Sequence, residues 1–144
     1  MEKPLRKREW KTGLSALAVL LAMTVAVRAE IAVSANDGKQ MKDGDTVTNP
    51  FRVQFGLSGM GVAPAGVDKP NTGHHHLLID VNEPLDPNEP IPQDKTHLHF
   101  GAGQTEALIE LTPGKHTLQL VLGDWSHLPF HPSLTSDVIT VTVK

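Results

Sequence analysis

From residue 46 onward, apolar and polar residues alternate in short stretches, and Gly, Pro, Asn or Asp cuts off each one. No stretch sustains the 3.6-residue recurrence of an amphipathic helix, so the chain is expected to be built of half-buried strands. The alternation predicts strands at 31–34, 46–57, 74–81, 96–100, 106–111, 115–122 and 137–143. About seven short strands in one domain predict an all-β, immunoglobulin-like antiparallel β-sandwich. Two connections, SGMGVAPAGVDKPNTG (58–73) and NEPLDPNEPIPQD (82–94), are too long and too rich in proline and glycine for hairpin turns. Connections of that kind commonly carry function.

The amino terminus reads differently. MEKPLRKREWK places five Lys or Arg residues ahead of the apolar run GLSALAVLLAMTVAV, and Val27-Arg28-Ala29 then supplies small residues where a signal peptidase cuts. Residues 1–29 are expected to be a cleaved signal peptide and residues 30–144 the mature domain, most simply in a bacterial periplasm. The apolar core is short for a membrane span of about 20 residues, so no stable anchor is expected after cleavage. The chain has no cysteine, which excludes both a disulfide and a thioether lipid anchor. Removal of 29 of the 144 residues takes away 6 of the 13 Lys and Arg and 2 of the 16 Asp and Glu, which moves the net charge from −3 to −7. A domain that acidic is not expected to bind nucleic acid, whose phosphates need a basic surface.

All 8 histidines, at 74, 75, 76, 97, 99, 116, 127 and 131, lie in the second half of the chain. Alternation along a strand gives His74 and His76 one face with Leu78, and gives His75 the other face with Leu77 and Ile79. Both faces cannot open on the same ion, so at least one ring of the run must pack structurally. His97 and His99 share a face opposite Leu98 and Phe100, with side chains about 6–7 Å apart, within reach of a common ion. His116 has the parity of Leu118, Leu120 and Leu122 and stands at the rim of the core, where a hydrogen-bonded strand-end residue is the plain alternative. His127 and His131 fall in WSHLPFHP, a proline-containing loop able to fold over a site, or simply to plug one end of the sandwich with Trp125, Leu128 and Phe130.

Many imidazoles without a thiolate suit copper(II), zinc(II) or a similar borderline ion. The candidate metal ligands are His76, His97, His99, His116 and His127, with His74 and His131 beside them. Metal-bound imidazoles usually give their second N–H to a carboxylate, for which Asp80 is the better placed candidate and Glu106 the poorer. Asp124, after Gly123, shapes a turn, and Gly101-Ala102-Gly103 makes a bulge or tight turn.

Familiar catalytic arrangements fit poorly. A cupin order is present in outline, but Glu106 follows His97-x-His99 after too long a gap. Blue-copper sites need a cysteine. No serine sits in G-x-S-x-G, and Ser126, His127 and Asp124 are too close in sequence to meet easily as a triad. Gly101-Ala102-Gly103 lacks the Lys-Ser/Thr of a phosphate loop.

Four blocks, GHHHLLID (73–80), HLHFGAGQTE (97–106), PGKHTLQLVLGD (113–124) and S-x-x-I-T-V-T-V (136–143), together resemble the exported bacterial domain-of-unknown-function family four-three-nine-nine over roughly residues 45–144. Some members are labelled rod shape-determining, which implies a role at the cell envelope but names no activity. The family pattern has His-x-Pro-His after the Gly-Asp turn, whereas this chain has Phe130 between Pro129 and His131, so the resemblance carries no ligand role to His131.

The leading expectation is a periplasmic domain that binds a divalent metal, copper or zinc, for storage, delivery or sensing. Those tasks need binding alone and no enzyme activity. The alternatives are an envelope adaptor that grips a glycan or a partner protein over a structural histidine network, and a copper-dependent redox enzyme with three His ligands and one open position.

Overall fold

The computed structural model describes residues 28–32 and 41–144, so most of the expected signal peptide lies outside the described residues. The described residues are all-β. Nine strands run in chain order: β1 (Arg28–Ala32), β2 (Thr46–Val47), β3 (Phe51–Ser58), β4 (Gly61–Val62), β5 (Thr72–Ile79), β6 (His97–Phe100), β7 (Glu106–Ile109), β8 (Gly114–Gly123) and β9 (Ile139–Val143). The expected boundary between Ala29 and Glu30 falls within β1.

They form two sheets. One has the order β1-β3-β7, and the other β2-β9-β8-β5-β4, with β6 also paired to β5. Most pairs are antiparallel, but β2–β9 and β4–β5 are parallel, which makes the larger sheet mixed.

Alternation is cleanest in β3, where Phe51, Val53 and Phe55 are buried and Arg52 and Gln54 exposed. On the exposed face Arg52 pairs with Glu106 of β7. The buried β3 residues and Ile109 meet Leu77, Ile79, Phe100, Leu118, Leu120, Val141 and Val143 of the larger sheet, and this interface is the sandwich core. Each fully buried Leu there contributes about 1.5–3 kcal/mol through removal of its surface from water.

The single strand expected at 46–57 is broken. Pro50 has no N–H for a ladder, and the Asn49 side chain instead accepts from Leu111 N at 3.1 Å and donates to Leu111 O. The two halves then join different sheets, β2 beside β9 and β3 between β1 and β7.

β5 is buried on both faces from Gly73 to Ile79. One face meets the smaller sheet, and the other is covered by loops, where Leu78 and Val121 pack with Ile91 from the proline-rich connection. β5 can therefore hold three consecutive histidines at zero exposure.

Candidate metal centre

The histidine run divides between the two faces. His75 enters the sandwich core against Phe55, with ring centroids 5.3 Å apart. His74 and His76 face the loop-covered side. Antiparallel pairing sets His99 of β6 directly beside His76, and Gly123 of β8 beside His74. The fourth ring, His127, comes from the turn after β8.

These four rings form one cluster. Centroid separations are 4.9 Å for His74–His76, 5.0 Å for His74–His99, 4.9 Å for His74–His127, 5.0 Å for His76–His99, 6.0 Å for His76–His127 and 4.8 Å for His99–His127. His74, His99 and His127 each offer a ring nitrogen, and those three atoms lie within 4.8 Å of one another. Nε2 of His74 and Nε2 of His76 are 3.1 Å apart.

Local structure explains how the cluster is held. Asp124 Oδ1 accepts from Ser126 N at 2.8 Å, Ser126 Oγ at 2.8 Å and Leu128 N at 2.9 Å, and His127 N donates to Asp124 O at 3.0 Å. This turn holds His127 at φ 73°, in the left-handed region. A non-glycine residue there costs on the order of 1 kcal/mol, and such strain is common where a side chain must be aimed. Ile91 N also donates to His127 O at 2.9 Å, which ties the proline-rich connection to the same turn.

Two glycines make room for the rings. A Cβ on Gly101 would stand 2.3 Å from His99 Cε1 and 2.5 Å from His99 Nε2, and one on Gly123 would stand 3.0 Å from His76 Nε2. Sequence reasoning missed both roles and assigned the 101–103 segment to turn geometry alone. That reading describes Gly103, at φ 80°, but at Gly101 the need is space beside a ring. The only trace in the sequence is a glycine two residues after a candidate ligand.

Burial keeps three of these rings, His74, His76 and His99, neutral. It is the first cause that lowers His74 to about 4, with His127 and His99 adding repulsion, and that lowers His76 to about 3, with His74, His99 and His127 adding to it. His99 is also lowered, by burial first and then by His127. Neutral imidazole is the ligating form, so at pH 7 no proton has to be displaced from these three rings before they bind an ion. Buried ring nitrogens without a hydrogen-bond partner include Nδ1 of His74 and His76 and Nε2 of His99.

The other three expected ligands stand apart. His97 shares the face of His99 but pairs in register with Leu78, and its Nδ1 is 2.9 Å from Asp94 Oδ1. That hydrogen bond is the first cause that holds the Asp94 carboxyl below the usual carboxylate range. His116 lies level with the far end of β5, its Nδ1 2.7 Å from Asp80 Oδ2 and its Nε2 2.8 Å from Thr112 O. The Asp80 hydrogen bond raises the His116 pKa, with the Thr112 carbonyl helping against burial. Asp80 is thereby engaged by His116 and by Thr117 N, and does not serve as the expected outer carboxylate of the cluster. His131 is exposed in the loop beyond Phe130.

Fold and site together define a cysteine-free β-sandwich with four imidazoles gathered under its loops. The chain belongs to the family described as a domain of unknown function (DUF4399), which matches residues 53–144 and so takes in every member of the cluster. No curated protein and no solved structure matches the chain.

Proposed function

We propose that this domain binds one divalent metal ion, copper or zinc, through His74, His99 and His127, and that it serves storage, delivery or sensing of that ion in the periplasm. The observation that carries this reading is the approach of three ring nitrogens, from β5, β6 and a strained turn, to within 4.8 Å of one another. The spacing is somewhat wider than the roughly 3.3 Å between ligand nitrogens around a bound zinc, so the rings would draw in on loading.

A purely structural histidine network is favoured by one contact, the 3.1 Å approach of His74 Nε2 to His76 Nε2. Against it stands the His99 ring, whose buried Nε2 has no hydrogen-bond partner. An unpaired buried polar atom costs about 1–3 kcal/mol, a cost that both ring nitrogens of His75 also bear in the sandwich core, away from the cluster. Ligation would satisfy the His99 atom.

Elemental analysis of untagged protein, incubated with zinc or copper at neutral pH and freed of excess metal, tests the proposal. One equivalent of metal per chain is expected, falling to a small fraction in His99→Ala. Absence of uptake by the wild type contradicts the proposal.

A further inference from the structure

His76 is the fourth ring of the cluster, and its position bears on what kind of ion the site can hold. Four points whose six separations are all similar define a tetrahedron. A square with sides near 4.9 Å would need two diagonals of about 6.9 Å, as in a tetragonal copper(II) complex. The six separations here run from 4.8 to 6.0 Å, and only one exceeds 5.0 Å. In a tetrahedral four-imidazole complex with metal–nitrogen bonds of about 2.0–2.1 Å, ring centroids stand about 5.2 Å apart. The 3.1 Å separation of His74 Nε2 and His76 Nε2 is also close to the roughly 3.3 Å edge of such a complex.

The rigidity of the scaffold adds to the argument. His74 and His76 stand two residues apart on one strand and have zero exposure, His99 is fixed beside His76 by strand pairing, and the Asp124 turn closes the fourth side with His127. A three-histidine catalytic site keeps one position open for water or substrate. Here a fourth imidazole, His76, packs against the other three, its ring centroid 4.9, 5.0 and 6.0 Å from theirs, while the nitrogens within 4.8 Å of one another are those of His74, His99 and His127.

Resting on metal binding as proposed above, we infer that His76 closes the coordination sphere, making a tetrahedral four-imidazole cage suited to zinc(II) that leaves no position for a substrate. The site then retains an ion and does not act on a substrate at it, which separates this chain from a copper redox enzyme. Metal leaves or enters by movement of the His127 turn, the one ligand not carried on a strand.

Cobalt(II) is the spectroscopic probe, because its visible bands report geometry and respond to added anions. The untagged wild-type protein loaded with cobalt(II) is expected to show the intense bands of a tetrahedral complex, unchanged by excess azide. X-ray absorption of the zinc form is expected to give outer-shell scattering from four imidazoles. His76→Gln is expected to bind cobalt(II) about 10–100-fold more weakly and to become azide-sensitive. Because His76 is fully buried, His127→Ala is the second variant: it removes a ring from a loop and is likewise expected to open an azide-sensitive position. Azide-induced change in the wild-type spectrum, or three imidazoles by X-ray absorption, overturns the closed cage while leaving metal binding intact. No uptake of cobalt(II) or zinc by the wild type overturns the metal site itself.

Discussion

Replacing Gly101 by alanine separates a steric role from a conformational one. Gly101 is not in the left-handed region, so alanine is compatible with its backbone, and removing a glycine from the unfolded chain favours folding by about 0.4–1 kcal/mol. The added methyl would meet His99 Cε1 at 2.3 Å and Nε2 at 2.5 Å, against ordinary contacts of about 3.5–4.0 Å, and Ala65 Cβ at 3.2 Å. The imidazole must therefore move by more than about 1 Å, and it is the softer partner because the backbone around Gly101 is fixed by Ala65 N donating to Gly101 O at 2.8 Å. Misplacing one ligand by that much is expected to weaken zinc binding about 10–100-fold, or about 1.4–2.7 kcal/mol, with apo stability changed by less than about 1 kcal/mol. Gly103→Ala is the control. Gly103 sits at φ 80°, and the nearest atom to a methyl added there would be 3.7 Å away, so the variant should lose about 1–2 kcal/mol of stability and none of its zinc affinity. Competition titration against a chromophoric chelator and urea denaturation measure the two quantities. Unchanged zinc affinity in Gly101→Ala would refute the reasoning.

Three further outcomes are expected. His75, held at about 4 by burial in the sandwich core, binds fewer protons folded than unfolded between pH 4 and 6.5, so stability should rise with pH across that window by about 3 kcal/mol from this group; in His75→Leu, denaturation against pH should show a shallower acid loss. His116, raised by Asp80, contributes stability that is fully present below pH 6.5 and is lost as pH rises through its folded value; the partner is half exposed, so Asp80→Asn should cost under about 1 kcal/mol at pH 6 and nothing at pH 9. Asp124→Ala removes the acceptor of three hydrogen bonds in the His127 turn, and thermal melts with and without zinc should show a much smaller metal-induced stabilisation than in the wild type.

Much of the sandwich was legible because alternation marks a strand wherever one face is buried. β3 follows it closely, whereas β8 ends in four consecutive buried residues because loops cover its second face. β4, of two residues, carries too little pattern to be read, and the break at Asn49-Pro50 that separates β2 from β3 within the expected 46–57 strand depends on a side chain that reaches Leu111, distant in sequence. In the site, parity gave the correct face for His74, His76, His97 and His99 but not their position along the sheet. Register decides that: β8 runs from Thr117 near Asp80 to Gly123 beside His74, so His116 and the cluster are separated by about 20 Å along the strands. His97 is two pairs along from His99 in the β5–β6 ladder, close enough in sequence to mislead, yet opposite Leu78 and tied to Asp94. The proline-containing stretch predicts a loop for His127 that is able to cover the site, but its left-handed backbone and the Asp124 turn that holds it arise from hydrogen bonds between residues with no distinctive spacing.

The central claim, that rings from two strands and a turn share one ion, is tested most directly by anomalous diffraction at the zinc absorption edge from crystals of the zinc-loaded, untagged protein. The expected result is a single strong peak about 2.0–2.1 Å from ring nitrogens of His74, His99 and His127, with His76 as the fourth neighbour. A peak at His97–Asp94 or His116–Asp80, or no ordered zinc, would contradict it.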